Sequence, residues 1–386
     1  MFPRVAQNAR SVFAPVTALF FQAQQEEECK AFLADRSAHT ETVPIVDESQ
    51  LLMRGDGRLV ESGYRFNPLG FAALGRVMSG GLVAIFNELS GEVSRRLPES
   101  GSRADNIAAA VSIYNTTLRV RFDELRERTL LVNHQEQAVE GFLGLDHRML
   151  GNTEFFDIVA EALQDKQTAA QFYRAEITGR ELRLYFIDSN SRRTDLHQNP
   201  QHTFAAGWYF SNREDVGQAI KGALCVYTRF GVAFEPVTTK TKVVHAGADL
   251  VGRTAAMVST VASRNSDMDA LAGQMRNLLS TSLNFSDKKT DQEKAVRHWT
   301  NYLCRFKIKN DTATAIVKNA MLVGSDLKIR PPLEAYSKPV LASRTAYDLV
   351  CSILRLAKNE YAAYRDVLYG AAMKLLVPDR NDRMNY

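Results

Sequence analysis

The stretch Leu182-Arg183-Leu184-Tyr185-Phe186 alternates apolar and polar side chains with a period of two. Successive side chains of an extended strand point to opposite faces of a sheet. Leu182, Leu184 and Phe186 would therefore share one face, while Arg183 and Tyr185 would share the other. This pattern predicts a β-strand whose apolar face packs on a core and whose polar face meets solvent.

The same alternation recurs at residues 118–122, 224–230 and 237–243. In each stretch the apolar positions are separated by Arg, Lys, Tyr or Thr, as in the first strand. We therefore predict a strand-rich core over residues 111–247, with one apolar sheet face and one basic face that carries two tyrosines. Between the strands, residues 152–163 have the composition of a helix, capped by Asn152 or Thr153.

The regions on either side of this core are predicted to be helical. Residues 1–110 form an N-terminal arm and helical region that is interrupted by glycines, and residues 248–386 form a basic helical C-terminal region. The predicted fold class is therefore α+β, with an antiparallel or mixed sheet core flanked by an N-terminal and a C-terminal helical region.

The last predicted helix has the most regular spacing in the chain. From Tyr347 to Leu375 the apolar residues follow one another in steps of three and four, and Pro378 ends the pattern. Such spacing keeps one apolar seam on a single side of a helix. Two interpretations stay open, namely a core helix packed within the protomer and a helix at a subunit interface.

Composition limits the class of protein. The chain has 386 residues, of which 45% are hydrophobic, and no apolar run approaches the roughly 18–20 residues that cross a bilayer, so we expect a soluble protein without membrane contact. The four cysteines show no C-x-x-C spacing, which favours free thiols and a cytoplasmic location. The first 25 residues faintly resemble an address signal, but an arm that docks on the body or on a neighbouring subunit is the preferred interpretation.

The positive charge is concentrated in the C-terminal third. Residues 251–386 contain 21 Lys and Arg against 13 Asp and Glu, whereas the net charge of the whole chain is only +4. A basic region of this kind attracts polyanions.

Three stretches, taken in order, resemble one known family. They are residues 141–163 with Asn152 at the start of a helix, residues 209–247 with Ser211-Asn212-Arg213-Glu214, and residues 343–376 with Ala346-Tyr347-Asp348-Leu349. They are similar to the phage and plasmid family called domain of unknown function nine-three-two. Gly144-Leu145-Asp146-His147 departs from it, because the family more often has Ser-x-Arg-Tyr there. The resemblance implies a divergent member from a mobile element, with a role in replication, recombination or host interaction.

No catalytic constellation is found in the sequence. The chain has neither a G-x-x-x-x-G-K-[ST] phosphate loop nor a G-x-S-x-G nucleophile elbow. His197 and His202 are separated by a proline-containing loop and are interpreted as loop histidines rather than metal ligands. We therefore predict a protein that is not an enzyme and that uses no cofactor and no metal.

Polyanion binding is the remaining hypothesis, because single-stranded nucleic acid is held by cations along its phosphates and by flat side chains under its bases. The sequence predicts a non-catalytic nucleic-acid-binding protein of a phage or plasmid that forms a homo-oligomer, binds single-stranded DNA rather than duplex and assists annealing or recombination. The alternative is a self-assembling structural phage protein of a capsid, shell or scaffold. The candidate binding residues are Arg119, Arg121, Arg183, Tyr185, Tyr227, Arg229, Lys240, Lys242, Arg297, Arg305, Lys307 and Lys309.

Overall fold

The structure is a computed structural model. It describes residues 12–16, 18–78, 80–89, 103–166, 168–189, 204–215, 219–228, 231–234, 239–264, 271, 278, 282–283, 289–322, 344–357, 360 and 362–376. Among the predicted features, Arg229, His197 and His202 lie outside these residues.

A large antiparallel sheet is formed by seven of the described strands. They are β1 (Ala18–Gln22), β6 (Ala170–Thr178), β7 (Glu181–Asp188), β8 (Phe204–Arg213), β9 (Ile220–Thr228), β10 (Gly231–Phe234) and β11 (Lys242–Val243). The order across the sheet is β1-β6-β7-β8-β9-β10, and β11 pairs with the other end of β9.

One glycine allows β8 to approach β7 closely. In the register of the two strands Gly207 lies opposite Ile187, and a Cβ at Gly207 would sit 2.0 Å from the carbonyl oxygen of Phe186. Any larger residue would push the strands apart, so this position requires glycine.

Helices cover both faces of the large sheet. On the face that carries Phe172 and Phe186, the rings follow one another from Phe156 of a helix to Phe172 and then to Phe186, with centroids 5.9 Å apart at each step. The helices that pack with this sheet, or on one another beside it, are α1 (Glu26–Ala38), α5 (Asn152–Asp165), α6 (Leu250–Ala262), α7 (Lys289–Cys304), α8 (Asn310–Leu322), α9 (Ala346–Ala357) and α10 (Ala362–Leu376).

A second, smaller sheet has its own hydrophobic cluster. Its strands are β2 (Thr40–Pro44), β3 (Arg65–Phe66), β4 (Thr129–Asn133) and β5 (Ala138–Leu143), in the order β2-β4-β5-β3, with β3 parallel to β5. Helices α2 (Pro68–Met78), α3 (Gly80–Leu89) and α4 (Arg103–Arg121) contribute to this cluster, in which Phe71, Phe86 and Tyr114 are fully buried.

The predicted fold class is confirmed: the fold is α+β, with a largely antiparallel sheet core and helical regions toward both ends of the chain. The sheets are antiparallel except for the β3–β5 pair. The N-terminal region also supplies the three short strands β1, β2 and β3, which the sequence did not predict.

Three predicted elements differ in the structure. Of residues 237–243, predicted as one strand, residues 239–241 form a 3-10 helix and only Lys242 and Val243 form the short strand β11, while residues 237 and 238 lie outside the described residues. Residues 118–122, predicted as a strand, form the end of α4 and the start of a short 3-10 helix at Phe122–Glu124. The long helix predicted from Tyr347 is two helices, α9 and α10. Strands β7 and β9 and helix α5 lie where the sequence predicted them.

No helix among the described residues is long and apolar enough to cross a membrane.

Candidate functional site

The polar face of the predicted strands is buried rather than open to solvent. Tyr185 of β7 has 0% exposed surface, Tyr227 of β9 has 4%, and Arg183 of β7 has 4%. The tyrosine rings pack on one another, with centroids of Tyr185 and Tyr227 6.4 Å apart, and the Tyr227 hydroxyl donates to backbone carbonyls of Phe186 and Trp208. Burial raises the pKa of both phenols well above the ordinary value. These two tyrosines offer no surface on which a base could stack.

Helix α10 is what covers this face. Arg183 Nη1 donates to Asp366 Oδ1 at 2.8 Å, and Arg365 Nη2 of α10 donates to Glu176 Oε2 of β6 at 3.1 Å. Arg183 also pairs with Glu181 at 2.6 Å. The expectation of a solvent-facing basic sheet is therefore wrong, because Arg183 of β7 neutralises the carboxylates of Glu181 and Asp366 at an interface inside the protein.

Arg119 and Arg121 lie on α4, away from the large sheet. Arg119 is exposed and its Nε lies 3.9 Å from Glu48, and Arg121 forms a two-pronged pair with Glu124 at 2.7 and 2.8 Å. Because these residues belong to a helix on the smaller sheet, they do not extend the face of β7 and β9 as predicted.

The other predicted cations within the described residues are exposed. Lys240 lies in a 3-10 helix at Thr239–Thr241, and Lys242 lies in β11 at the edge of β9. We use the name basic turn surface for one exposed cation in the second half of α7 and three in the segment that follows the helix, which are Arg297, Arg305, Lys307 and Lys309.

The aromatic residues beside the basic turn surface are buried. Trp299 is 3% exposed, Tyr302 is 5% exposed, and the Trp299 indole N–H donates to the carbonyl oxygen of Leu283 at 3.2 Å. The Arg305 guanidinium lies 5.8 Å from the centre of the Tyr302 ring. The rings therefore support the helix and hold an arginine, and they are not presented to a ligand.

A cleft of about 470 Å³ lies between the β5–α5 connection and the segment around β11. Its volume is within the range of small-molecule sites. Leu145 and Val244, which are 61% and 57% exposed, form apolar parts of its wall. The polar and charged side chains that line it are Arg128, Asp146, His147, Lys242 and His245.

Two histidines stack on each other in this cleft. The rings of His147 and His245 lie 4.9 Å apart at an angle of 15°. His245 Nδ1 is 2.9 Å from the carbonyl oxygen of Arg148, and His147 Nε2 is 3.0 Å from the carbonyl oxygen of Glu214. Because a carbonyl oxygen only accepts, both of these nitrogens carry the proton. His245 Nε2 and His147 Nδ1 therefore present lone pairs.

Burial keeps both imidazoles neutral. It lowers the pKa of His147 and lowers that of His245 to about 4, with the neighbouring His147 and Arg253 acting in the same direction on His245. His245 is only 3% exposed, and its Nε2 has no hydrogen-bond partner within the described part of the chain. The cleft thus contains a buried acceptor without a donor.

A buried ionic network lies beneath the cleft and joins the two sheets. Glu140 of β5 accepts a hydrogen bond from Arg36 of α1 and forms an ion pair with Arg180, whose Nη2 lies 2.7 Å from Glu140 Oε2. Arg180 also donates to Glu214 at 3.0 Å, and Glu214 in turn accepts from the backbone N–H of Asn152 at 2.7 Å. All four ionic side chains are at most 10% exposed. We call this arrangement the junction network.

Residues of the first two family-resembling stretches converge on the junction network. Asn212 Nδ2 donates to Asn152 Oδ1 and to the carbonyl oxygen of Leu150, both at 2.9 Å. Arg213 pairs with Asp215, whose Cβ would be 2.9 Å from a Cβ added at Gly141. The Ser-Asn-Arg-Glu motif thus has a structural role beside the cleft.

The sequence did not single out His147, His245, Glu140 or Arg180 as functional residues. They lie at scattered positions without a spacing rule, and only the family-resembling stretches, which contain the two histidines, pointed to this region. In the described part of the chain, no three His, Cys, Asp or Glu side chains converge in a way that could hold a metal ion.

Comparisons with protein-family models, with curated proteins and with solved structures find no match for this chain. The resemblance to the phage and plasmid family therefore stays a prediction.

Proposed function

We propose that the protein is a non-catalytic nucleic-acid-binding protein that contacts the phosphate backbone through the basic turn surface. The observation that carries this proposal is the exposure of Arg297, Arg305, Lys307 and Lys309 on neighbouring parts of one helix and its turn. In the described part of the chain none of the four forms an ion pair with a carboxylate. Their charges are therefore available to an external anion.

The surrounding segment is basic as a whole. Residues 289–322 contain seven Lys and Arg against three Asp and Glu. Along a helix axis, Arg297 and the end of α7 are separated by about 10 Å, which is the length of roughly three phosphate steps on one DNA strand. A surface of this length and charge can follow a nucleic-acid backbone.

The contacts favoured by this surface are electrostatic. Trp299 and Tyr302 are buried beside the four cations, and Tyr185 and Tyr227 are buried below α10, so none of them supplies a stacking platform. These buried rings therefore give no basis for a preference for single strands over duplex. We also propose an annealing or recombination role in a mobile element, and this part of the proposal is supported only by the family resemblance.

The alternative of a self-assembling structural protein has less support. It depended on the N-terminal arm and on the apolar seam of the last helix. Residues 1–11 lie outside the described part of the chain, and the seam residues Tyr347, Val350, Leu354 and Leu368 have no exposed surface because they pack within the protomer.

Fluorescence anisotropy with labelled oligonucleotides tests the proposal. We expect salt-sensitive binding of a single-stranded and a duplex 30-mer. The variant with Arg297, Arg305, Lys307 and Lys309 all changed to Gln should lose it. Each single-strand phosphate contact contributes about 0.7 to the slope of log K against log salt, so loss of four contacts lowers the slope by nearly 3.

The matched control changes exposed cations elsewhere. Arg119→Gln removes a similarly exposed guanidinium from α4, and Lys318→Gln removes one charge from α8, outside the basic turn surface. The proposal fails if the wild-type protein shows no salt-sensitive binding, or if Arg119→Gln weakens binding as much as the fourfold variant.

A further inference from the structure

The cleft that contains the stacked histidines combines three features of a ligand site. It has an apolar wall at Leu145 and Val244, two cations at Arg128 and Lys242, and the acceptor nitrogen Nδ1 of His147. None of these features belongs to the basic turn surface. We infer that this cleft is a binding site for a phosphate-bearing ligand of nucleotide size.

The two cations specify an anionic group. Within the described residues, neither Arg128 nor Lys242 forms an ion pair, although Asp146 lines the same cleft. Arg128 uses Nε to donate to the carbonyl oxygen of Glu124 at 2.7 Å and stacks over Phe142, which fixes its guanidinium while its two terminal nitrogens remain for a ligand. A phosphate accepts several such hydrogen bonds at once, and arginine binds it in a planar two-pronged geometry.

The histidine pair specifies a donor on the same ligand. His245 Nδ1 and His147 Nε2 are committed to backbone carbonyls, so each ring offers only a lone pair. His147 is only partly buried and its Nδ1 is not used by the backbone contact, so a hydroxyl or amino group of a ligand can donate to it. The sugar hydroxyls and the exocyclic amine of a nucleotide are such donors.

The apolar wall of the cleft favours a ligand that has a flat apolar part. Leu145 and Val244 are large aliphatic side chains that are more than half exposed, and they border the same cleft as the charges. A heterocyclic base placed against them would remove apolar surface from water, which favours binding in proportion to the area covered. Anion, donor and flat ring together describe a nucleoside monophosphate, either free or as the end of a strand.

Isothermal titration calorimetry with adenosine 5′-monophosphate tests the inference on the full-length protein. We expect saturable binding of one equivalent. The change Lys242→Gln should weaken it about tenfold, since a hydrogen bond to a charged group contributes on that order. Lys240→Gln is the matched control, because Lys240 is exposed two residues away and does not line the cleft. Arg128→Gln gives a second, independent loss, and equal melting temperatures show that the variants are folded.

Two further ligands and one pair of oligonucleotides separate the contribution of the phosphate from that of the nucleoside, and a free nucleotide from a strand end. Adenosine without phosphate and inorganic phosphate alone should each bind at least tenfold more weakly than the monophosphate. Binding of a 5′-phosphorylated short oligonucleotide in preference to its 5′-hydroxyl form, again dependent on Lys242, would identify a strand end as the source of the phosphate. Tighter binding of the free nucleotide would identify a small ligand.

The inference is overturned if the monophosphate shows no saturable binding at millimolar concentration, or if Lys240→Gln and Lys242→Gln weaken binding equally. It is also overturned if adenosine or inorganic phosphate binds as tightly as the monophosphate. The fourfold variant of the basic turn surface should bind the monophosphate like wild type, so failure of the nucleic-acid proposal and failure of this inference are distinguishable.

Discussion

The buried imidazole of His245 makes folding stability depend on pH. Burial lowers the pKa of His245 to about 4, whereas an imidazole in the unfolded chain titrates near 6.5. Between these values the unfolded state binds one more proton than the native state, so the free energy of unfolding falls as the pH falls. The contribution is fully present above pH 6.5 and is lost progressively down to about pH 4.

The size of the effect follows from the two pKa values. From pH 6.5 to pH 5 the difference in bound protons acts over about 1.5 pH units, and each unit corresponds to about 1.36 kcal/mol. His245 alone therefore lowers the free energy of unfolding by about 2 kcal/mol between pH 7.5 and pH 5. The lowered pKa of His147 acts in the same direction.

Urea unfolding of wild type and of His245→Asn at pH 7.5, 6 and 5 measures this contribution. Asparagine can still donate to the carbonyl oxygen of Arg148 but carries no proton that titrates in this range. Between pH 7.5 and pH 5, we expect the free energy of unfolding of the variant to fall by about 2 kcal/mol less than that of wild type. The same change at His298, which is exposed on α7, is the control and should follow the wild-type curve. Parallel curves for wild type and His245→Asn would refute the reasoning.

Three other substitutions have expected effects on stability. Glu140→Gln leaves two buried guanidinium groups with one carboxylate fewer and should lower the free energy of unfolding by about 3–5 kcal/mol in urea. Gly207→Ala places a Cβ 2.0 Å from the carbonyl oxygen of Phe186, so we expect loss of the folded fraction by circular dichroism, and a wild-type melting curve would contradict the close approach. Asn67→Ala removes the side-chain oxygen that accepts a hydrogen bond from the Gly70 N–H at 2.7 Å near the start of α2. We expect this change to lower the free energy of unfolding by about 1 kcal/mol in thermal unfolding, and an unchanged unfolding curve would contradict the expectation.

The local pattern was enough to predict strands but not what covers them. The period of two in β7 assigned Leu182, Leu184 and Phe186 to one face and Arg183 and Tyr185 to the other, and the structure confirms this division. It did not show that α10, which follows 174 residues later in the chain, packs on the polar face. A half-exposed strand and a strand whose polar face is paired inside the protein have the same alternation.

A five-residue alternation was not enough to distinguish strand from helix at residues 118–122. Leu118 and Val120 alternate with arginines in the sequence, as strand residues on one face would, but Leu118 is fully buried and Val120 is 80% exposed, because the two residues lie on opposite sides of α4. The helix begins at Arg103 and is 19 residues long, and residues 118–121 continue its helical conformation as its last turn. The seam predicted from Tyr347 to Leu375 is helical within α9 and α10, and the burial of Tyr347, Val350, Leu354 and Leu368 agrees with the interpretation of a core element within the protomer.

The cleft could not be predicted because its parts come from distant segments. The junction network brings together residues as far apart as Arg36 and Glu214, and no spacing rule links them. Long-range ionic contacts of this kind depend on how the sheets pack, which a single sequence does not encode in a local pattern.

Glu214 of the junction network also contacts His147, which lines the cleft. His147 donates to the carbonyl oxygen of Glu214, while the carboxylate of the same residue holds Arg180 and the first N–H of α5. A ligand that binds only the assembled cleft must stabilise the folded chain, by about 2.7 kcal/mol at a concentration one hundred times its Kd. Since Lys242 lies in the cleft but not in the network, and since Lys242→Gln is expected to weaken binding about tenfold, this change should lower the stabilisation to about 1.4 kcal/mol at the same ligand concentration while leaving the stability of the free protein unchanged.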